Sequence, residues 1–258
     1  MRKLLTLLLL APVFCFGQTP FDGTWMTKLD SAQFPKKPDE FVLDKGMYHC
    51  KTCTPPYNIK ADGTDQSVSG HAYYDTVAVR VVDDHSIELT QKKDGKVLFT
   101  ETDTVSLDGG TLTNKFIDTS EAKPVNGELS FSRAGKGPAG SHALSGSWRI
   151  NKVSSVSENG LTITFQGTEN GLKMMDPNGA SYDAKFDGKL YSVEGDPGKT
   201  MVSLKRIGND TIEETDHRNG TVASVIRMTV ASDGKSIKVD FTDKLRNTTT
   251  TYTMEKQP

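Results

Sequence analysis

Apolar and polar residues alternate along most of this chain, in short runs that stop at turn-forming pairs. In the C-terminal half the runs are Leu161–Gln166, Leu172–Met175, Tyr182–Phe186, Thr200–Ile207, Thr211–Asp216, Val222–Val230, Ser236–Phe241 and Thr249–Glu255. A period of two is that of a strand with one buried face. The breaks are Asn159-Gly160, Asn178-Gly179, Asp187-Gly188, Asn219-Gly220 and Asp233-Gly234, pairs that supply the positive φ angles of a tight hairpin turn. Hairpins in succession make an antiparallel meander, and about eight to ten strands in roughly 110 residues suffice to close a small barrel. Only the stretch around Asp30–Asp39 leaves room for a helix.

The pattern occurs twice. Tyr182–Asp243, moved back by 125 positions, falls on Tyr57–Asp118 without a gap and with 19 identities in 62 columns, against about four expected from ordinary composition. The identities are turn glycines and alternating apolar positions, such as Gly63, Val77, Ile87, Gly95 and Val105 against Gly188, Val202, Ile212, Gly220 and Val230. Upstream of each block stands a Gly-x-Trp, at Gly23-Thr24-Trp25 and Gly146-Ser147-Trp148. An internal duplication follows, with each Trp opening a module. Arg133–His142, rich in Gly and Ala, reads as the linker. The expected division is a first module over 18–140 and a second over 141–258, all-β, as two tandem antiparallel meander β-barrels.

Composition narrows the function. The formal charge of −2 becomes −4 if Arg2 and Lys3 leave with a leader, which argues against a nucleic-acid binder, since that needs clustered basic surface. Residues 1–17 read as a secretory signal peptide: a basic start, an apolar run from Leu4 and small residues before a cut after Gly17. The run ends at Pro12–Phe16, short of the ~18–20 residues of a membrane span. A lipid anchor on Cys15 is the alternative, and Phe14 before it fits that signal poorly. The mature protein is therefore expected to be secreted or periplasmic, with no integral membrane segment.

Asp22-Gly23-Thr24-Trp25 and Ser145-Gly146-Ser147-Trp148, each followed by a hairpin meander, resemble the calycin group of lipocalins and fatty-acid-binding proteins. With Asp210–Asp216, Arg227–Gly234 and Thr248–Tyr252, the chain is similar to secreted bacterial proteins of unassigned function built from two such modules. The resemblance covers nearly the whole mature chain. It implies lipocalin-like barrels and, by analogy, a cavity for a small molecule.

Four features are candidates for chemistry. Cys50 and Cys53, in His49-Cys50-Lys51-Thr52-Cys53, are the only cysteines left once Cys15 is removed. In an oxidising compartment so close a pair is expected to join as a structural disulfide. The second copy has Met175 and Asn178 at the corresponding places, so the scaffold does not require the bond. A redox role needs a thiolate held by a helix N-terminus or cations, and the flanks here are a strand and a proline pair. A zinc site needs two further ligands, and His49 points to the face opposite Cys50 on an extended chain; no metal and no cofactor are expected.

The second feature is acidic: Glu88 with Glu213, and the run Glu213-Glu214-Thr215-Asp216-His217. Paired carboxylates can do acid–base work when burial separates their pKa values, but a solvated hairpin is the reading preferred here. The third is Arg227, which inside a barrel would hold a ligand carboxylate and outside would sit on a wet face. The fourth is Tyr252 on the last strand. Arg227 and Tyr252 are the candidate ligand-binding residues. The Arg-x-Tyr clamp of many fatty-acid-binding proteins is absent, since this strand reads Thr250-Thr251-Tyr252-Thr253.

Three functions compete: a non-enzymatic barrel protein binding a small apolar or amphipathic ligand, a structural or interaction protein with filled barrels, and an enzyme of thiol–disulfide exchange or hydrolysis. The first is preferred. No nucleophile–base constellation or nucleotide motif is shared by the two copies.

Overall fold

Hairpin turns set the frame. Asp94-Gly95 and Asn219-Gly220, equivalent in the repeat, both hold two successive positive φ angles (51° and 77°, 50° and 74°), the type I′ geometry whose twist matches the flanking strands. The computed structural model describes residues 19–258; the expected leader over 1–17, with Cys15, lies outside the described residues. Twenty strands follow in chain order. They are β1 (Gly23–Gln33), β2 (Asp39–Asp44), β3 (Met47–Cys50), β4 (Tyr57–Lys60), β5 (Gln66–Ser67), β6 (Thr76–Val81), β7 (Ser86–Lys93), β8 (Lys96–Val105), β9 (Thr111–Asp118) and β10 (Val125–Lys136). Then come β11 (Gly146–Val156), β12 (Thr162–Thr168), β13 (Gly171–Met175), β14 (Ser181–Lys185), β15 (Tyr191–Ser192), β16 (Met201–Arg206), β17 (Thr211–Arg218), β18 (Thr221–Val230), β19 (Ser236–Asp243) and β20 (Thr248–Lys256). No helix forms over Asp30–Asp39: β1 runs on to Gln33 and β2 starts at Asp39.

The strands make two ten-stranded, nearly closed antiparallel barrels. The first is ordered β4-β3-β2-β11-β10-β9-β8-β7-β6-β5 and the second β14-β13-β12-β1-β20-β19-β18-β17-β16-β15. Each barrel thus takes its tryptophan strand from the other side of residue 140. Trp25 lies between β12 and β20, opposite Ile163 and Lys256, and Trp148 lies between β10 and β2, opposite Arg133 and Asp39. The cause is local. β10 turns straight back into β11, a pairing that costs little loop-closure entropy. In the second barrel the corresponding place beside β20 is taken by β1.

The two tryptophan corners are built alike. Both indoles are fully buried, and each donates its N–H to the carbonyl four residues earlier, Phe21 at 2.7 Å and Leu144 at 2.8 Å. A cation covers each ring: Lys256 Nζ is 5.2 Å from the Trp25 centroid and the Arg133 guanidinium carbon 4.0 Å from that of Trp148, a favourable cation–π geometry. Gly23 and Gly146 have φ of +128° and +137°, and a Cβ at either would stand 2.7 Å from Lys256 Cε or 2.8 Å from Arg133 Nη1. That is why a glycine precedes the tryptophan by two. The stretch read as a linker is therefore structured. Arg133 lies in β10 and donates to the carbonyls of Gly109, Ser145 (2.8 Å) and Ala143 (2.7 Å).

The barrels differ in how they close. In the second, Ser181 and Glu194 exchange backbone hydrogen bonds of 3.0 and 2.8 Å, joining β14 to the end of β15. The positions 125 residues earlier hold Pro56 and Ser69. Proline has no N–H to give, so this double bond cannot form in the first barrel, which stays open beside Pro55, Tyr57 and His71.

Candidate functional site

That opening leads into the first barrel. A cavity of about 720 Å³ is lined by Tyr48, Tyr57, His71, Tyr74 and Glu101 from the first barrel. The hairpin turns carrying Arg218 and Arg246 of the second barrel form its rim. A second, smaller chamber of about 310 Å³ is lined by Phe41, Phe99, Phe116, Phe131, Glu101, Asp103 and Asn114. Asp39, Phe41 and Glu101 line both spaces and so stand between them.

Strand register explains the composition. On β8 the inward side chains are Phe99, Glu101, Asp103 and Val105. Glu101 faces Leu89 on β7 and Phe116 on β9, while Asp103 faces Ile87 and Asn114. Leu129 and Phe131 on β10 continue the rows from Asn114 and Leu112. Gly127, opposite Phe116, leaves room for that ring, since a Cβ there would come within 2.7 Å of it. Phe99 and Phe116 stack at 5.8 Å. At the mouth His71 stacks on Tyr74 at 4.3 Å and meets Tyr57 edge-on at 5.7 Å.

Two acids in so apolar a space are costly to ionise. Burial, with Asp103 beside it, raises Glu101 to about 8, and burial raises Asp103 to about 6. Glu101 keeps some accessible surface and lines the cavity. The Asn114 side-chain amide donates to Glu101 Oε2 at 2.7 Å and to Asp103 Oδ1 at 2.8 Å. Asp39, also raised by burial, pairs with Arg246 of the second barrel at 2.7 Å. Burial pushes the Tyr74 hydroxyl up to about 12, raises those of Tyr48 and Tyr57, and pushes the His71 imidazole down. His71 Nε2 is buried with no hydrogen-bond partner among the described residues.

The second barrel has a related pair one strand away. In the frame of the repeat, Leu89 and Glu101 correspond to Glu214 and Ile226, which face each other just as Leu89 and Glu101 do. The same rung carries a carboxyl in both barrels, on β8 in one and on β17 in the other. Glu214 accepts from Tyr182 Oη at 2.5 Å and Asp216 from Ser224 Oγ at 2.6 Å, with Asp216 Oδ1 left unpartnered. Burial and the neighbouring Asp216 raise Glu214 to about 8.

The sequence candidates are distributed as follows. Cys50 and Cys53 form a disulfide, Cα atoms 5.5 Å apart, at the cavity wall. Strand pairing aligns Cys50 with Met174, since both face the equivalent tyrosine, one residue from the Met175 that sequence offset selects. Arg227 is exposed on the outer face and pairs with Glu213 at 3.3 Å; Glu88 pairs with Arg80 outside the first barrel. Tyr252 is half-buried against the core of the second barrel, where burial pushes its hydroxyl up to about 12. The structure does not bring Arg227 and Tyr252 to one place. The acidic run is not a solvated hairpin, because Glu214 and Asp216 point inward and are buried. Glu101, Asp103 and Asn114 escaped the sequence reading. A signal existed: in phase with the shared Val105 and Val230, the second copy reads Ile226 and Met228 where the first reads Glu101 and Asp103. No group of three or more His, Cys, Asp or Glu among the described residues is arranged to hold a metal ion.

Comparison of the chain with protein-family models and with curated proteins found no match in either.

The buried acids make stability pH-dependent with an unusual sign. Their folded pKa values lie above the unfolded values near 4, so the native state holds extra protons between about pH 4 and 8. Stability from the neutral forms is complete below about pH 4 and is lost as pH rises through 6 and then 8. At ~1.4 kcal/mol per pKa unit, the loss per raised acid is on the order of a few kcal/mol. Turn carboxylates act oppositely at the acid end: hydrogen bonds from Thr64 hold Asp62, and the Lys189 N–H holds Asp187, below the ordinary range. The melting temperature is therefore expected to peak near pH 5 and fall toward pH 9, and Glu101→Gln with Glu214→Gln to flatten that fall. A scan that is level or rising from pH 5 to 9 counts against neutral buried acids.

Proposed function

We propose that the protein is a non-enzymatic binding protein whose first barrel takes up a small amphipathic molecule. The observation that carries this reading is the aromatic-walled cavity, which runs from the mouth at Tyr57 and His71 to polar groups at Glu101, Asp103 and Asn114. Pockets for small ligands are typically ~300–1,000 Å³, mostly apolar, with a few convergent polar groups. The reading includes lipocalin-like barrels and a secreted or periplasmic location. The location is supported by the leader-like residues 1–17 and by the Cys50–Cys53 bond, which persists in oxidising compartments. Among the described residues no helix is long and apolar enough to cross a membrane.

Native mass spectrometry of protein purified from its own source tests the proposal. A retained small molecule is expected as added mass on the intact chain. Replacing the mouth residue His71 by Trp is expected to remove that mass while the fold stays intact by circular dichroism. A chain that carries no added mass, and that no amphiphile stabilises in thermal shift, contradicts the proposal.

A further inference from the structure

We propose that the smaller chamber of the first barrel recognises a primary ammonium group at the end of an apolar chain, held between Glu101 and Asp103. This deepens the binding-barrel reading and rests on it. Asn114 spends its amide N–H groups on Glu101 Oε2 and Asp103 Oδ1. The second oxygen of each carboxyl accepts no hydrogen bond among the described residues, and both acids line the chamber, so these acceptors are free for a guest. No lysine or arginine lines the chamber, and Arg246 at its entrance is engaged by Asp39.

The remaining wall fits the same guest. Phe41, Phe99, Phe116 and Phe131 surround the acids, offering aromatic faces to a cation and apolar surface to its chain. A carboxylate guest would meet the like charge of Asp103, with no lysine or arginine in the lining to pair with it. In the second barrel Tyr182 and Ser224 engage the equivalent acids and the remaining Asp216 Oδ1 is closed off from solvent, so the accessible ammonium site belongs to the first barrel.

Protons complete the picture. In the empty chamber Glu101 stays largely neutral at pH 7, because burial and Asp103 raise it. Asp103, Asp39 with its Arg246, Tyr48, Tyr57, Tyr73, Tyr74, His71, Arg218 and Asp243 are the other charged or titratable groups facing the two spaces. The tyrosines remain neutral throughout this range, and the imidazole is pushed toward its neutral form. An arriving ammonium stabilises the ionised carboxyl, so one proton leaves Glu101 for solvent as the cation enters. Affinity must then rise with pH while the amine, with a pKa near 10, stays charged.

The test is calorimetry on the full chain with three probes of one length: n-decylammonium, n-decanol and decanoate. Decylammonium is expected to bind at least about tenfold more tightly than decanol, with decanoate weakest. Its affinity should rise by up to ~tenfold per pH unit between pH 6 and 8, with about one proton released, read from buffers of different ionisation enthalpy. Glu101→Gln with Asp103→Asn should cost decylammonium at least ~tenfold and leave decanol nearly unchanged. If the double variant does not fold, proton release by the native chain decides. Equal binding of decanol and decylammonium without proton release overturns the ammonium site and leaves the binding barrel standing. Failure of all three probes to bind overturns both.

Discussion

Fragments 18–140 and 141–258, expressed separately, are expected to give poorly dispersed amide spectra, whereas fragment 37–157 is expected to fold alone. A cut near Gly140 follows the boundary expected from sequence, but it passes between β10 and β11. The first fragment would lose β11, which pairs with both β10 and β2. The second would lose β1, which pairs with both β12 and β20. Each missing strand exposes two rows of backbone donors and acceptors and removes a fully buried tryptophan from the core. By contrast β2 to β11 are contiguous in the chain and make up the whole first sheet. Mixing 18–140 with 141–258 should restore dispersion, because together they contain every strand. Independent folding of both halves would mean that each tryptophan strand pairs within its own half, contrary to the exchanged order.

Trp25→Ala and Trp148→Ala carry the next largest effect. Each indole is fully buried, bonded to a carbonyl, and capped by a cation. Truncating a buried Trp typically costs ~3–5 kcal/mol, a large share of the ~5–15 kcal/mol of a whole domain. Chemical denaturation should resolve which barrel is affected. Trp25 packs with Phe165, Val202 and Ile237, so its loss should lower the transition of the second barrel. Trp148 packs with Leu43, Val79 and Leu112 and should lower that of the first. A cost below ~1 kcal/mol at both positions would make the matching corners energetically idle.

Much of this architecture could be read from residue order alone. Alternation marked the strands, Asn219-Gly220 marked a turn that has the expected angles, and a repeat of 125 residues marked two barrels. These signals are local, set by one residue's φ or by neighbours two apart. Inward and outward faces were also legible where the alternation was unbroken, as at Glu213 and Glu214, which do lie on opposite sides.

What only the tertiary structure decided involves residues far apart in sequence. Which barrel receives Trp25 depends on whether β20 finds a partner, and that partner lies some 230 positions away. The same pairing turned Arg133 from a linker residue into the cap of Trp148. The cavity arose from an absence that repeat comparison alone does not price: Pro56, where the second copy has Ser181, withholds one backbone donor and leaves the first barrel open. The carboxyl at one shared rung sits on β8 in one copy and on β17 in the other. Column-by-column alignment scores it as two unrelated substitutions, yet facing strands make one environment of the two columns. Burial inside a closed sheet, which no single strand possesses, is what turned those acids from surface charge into the floor of a cavity.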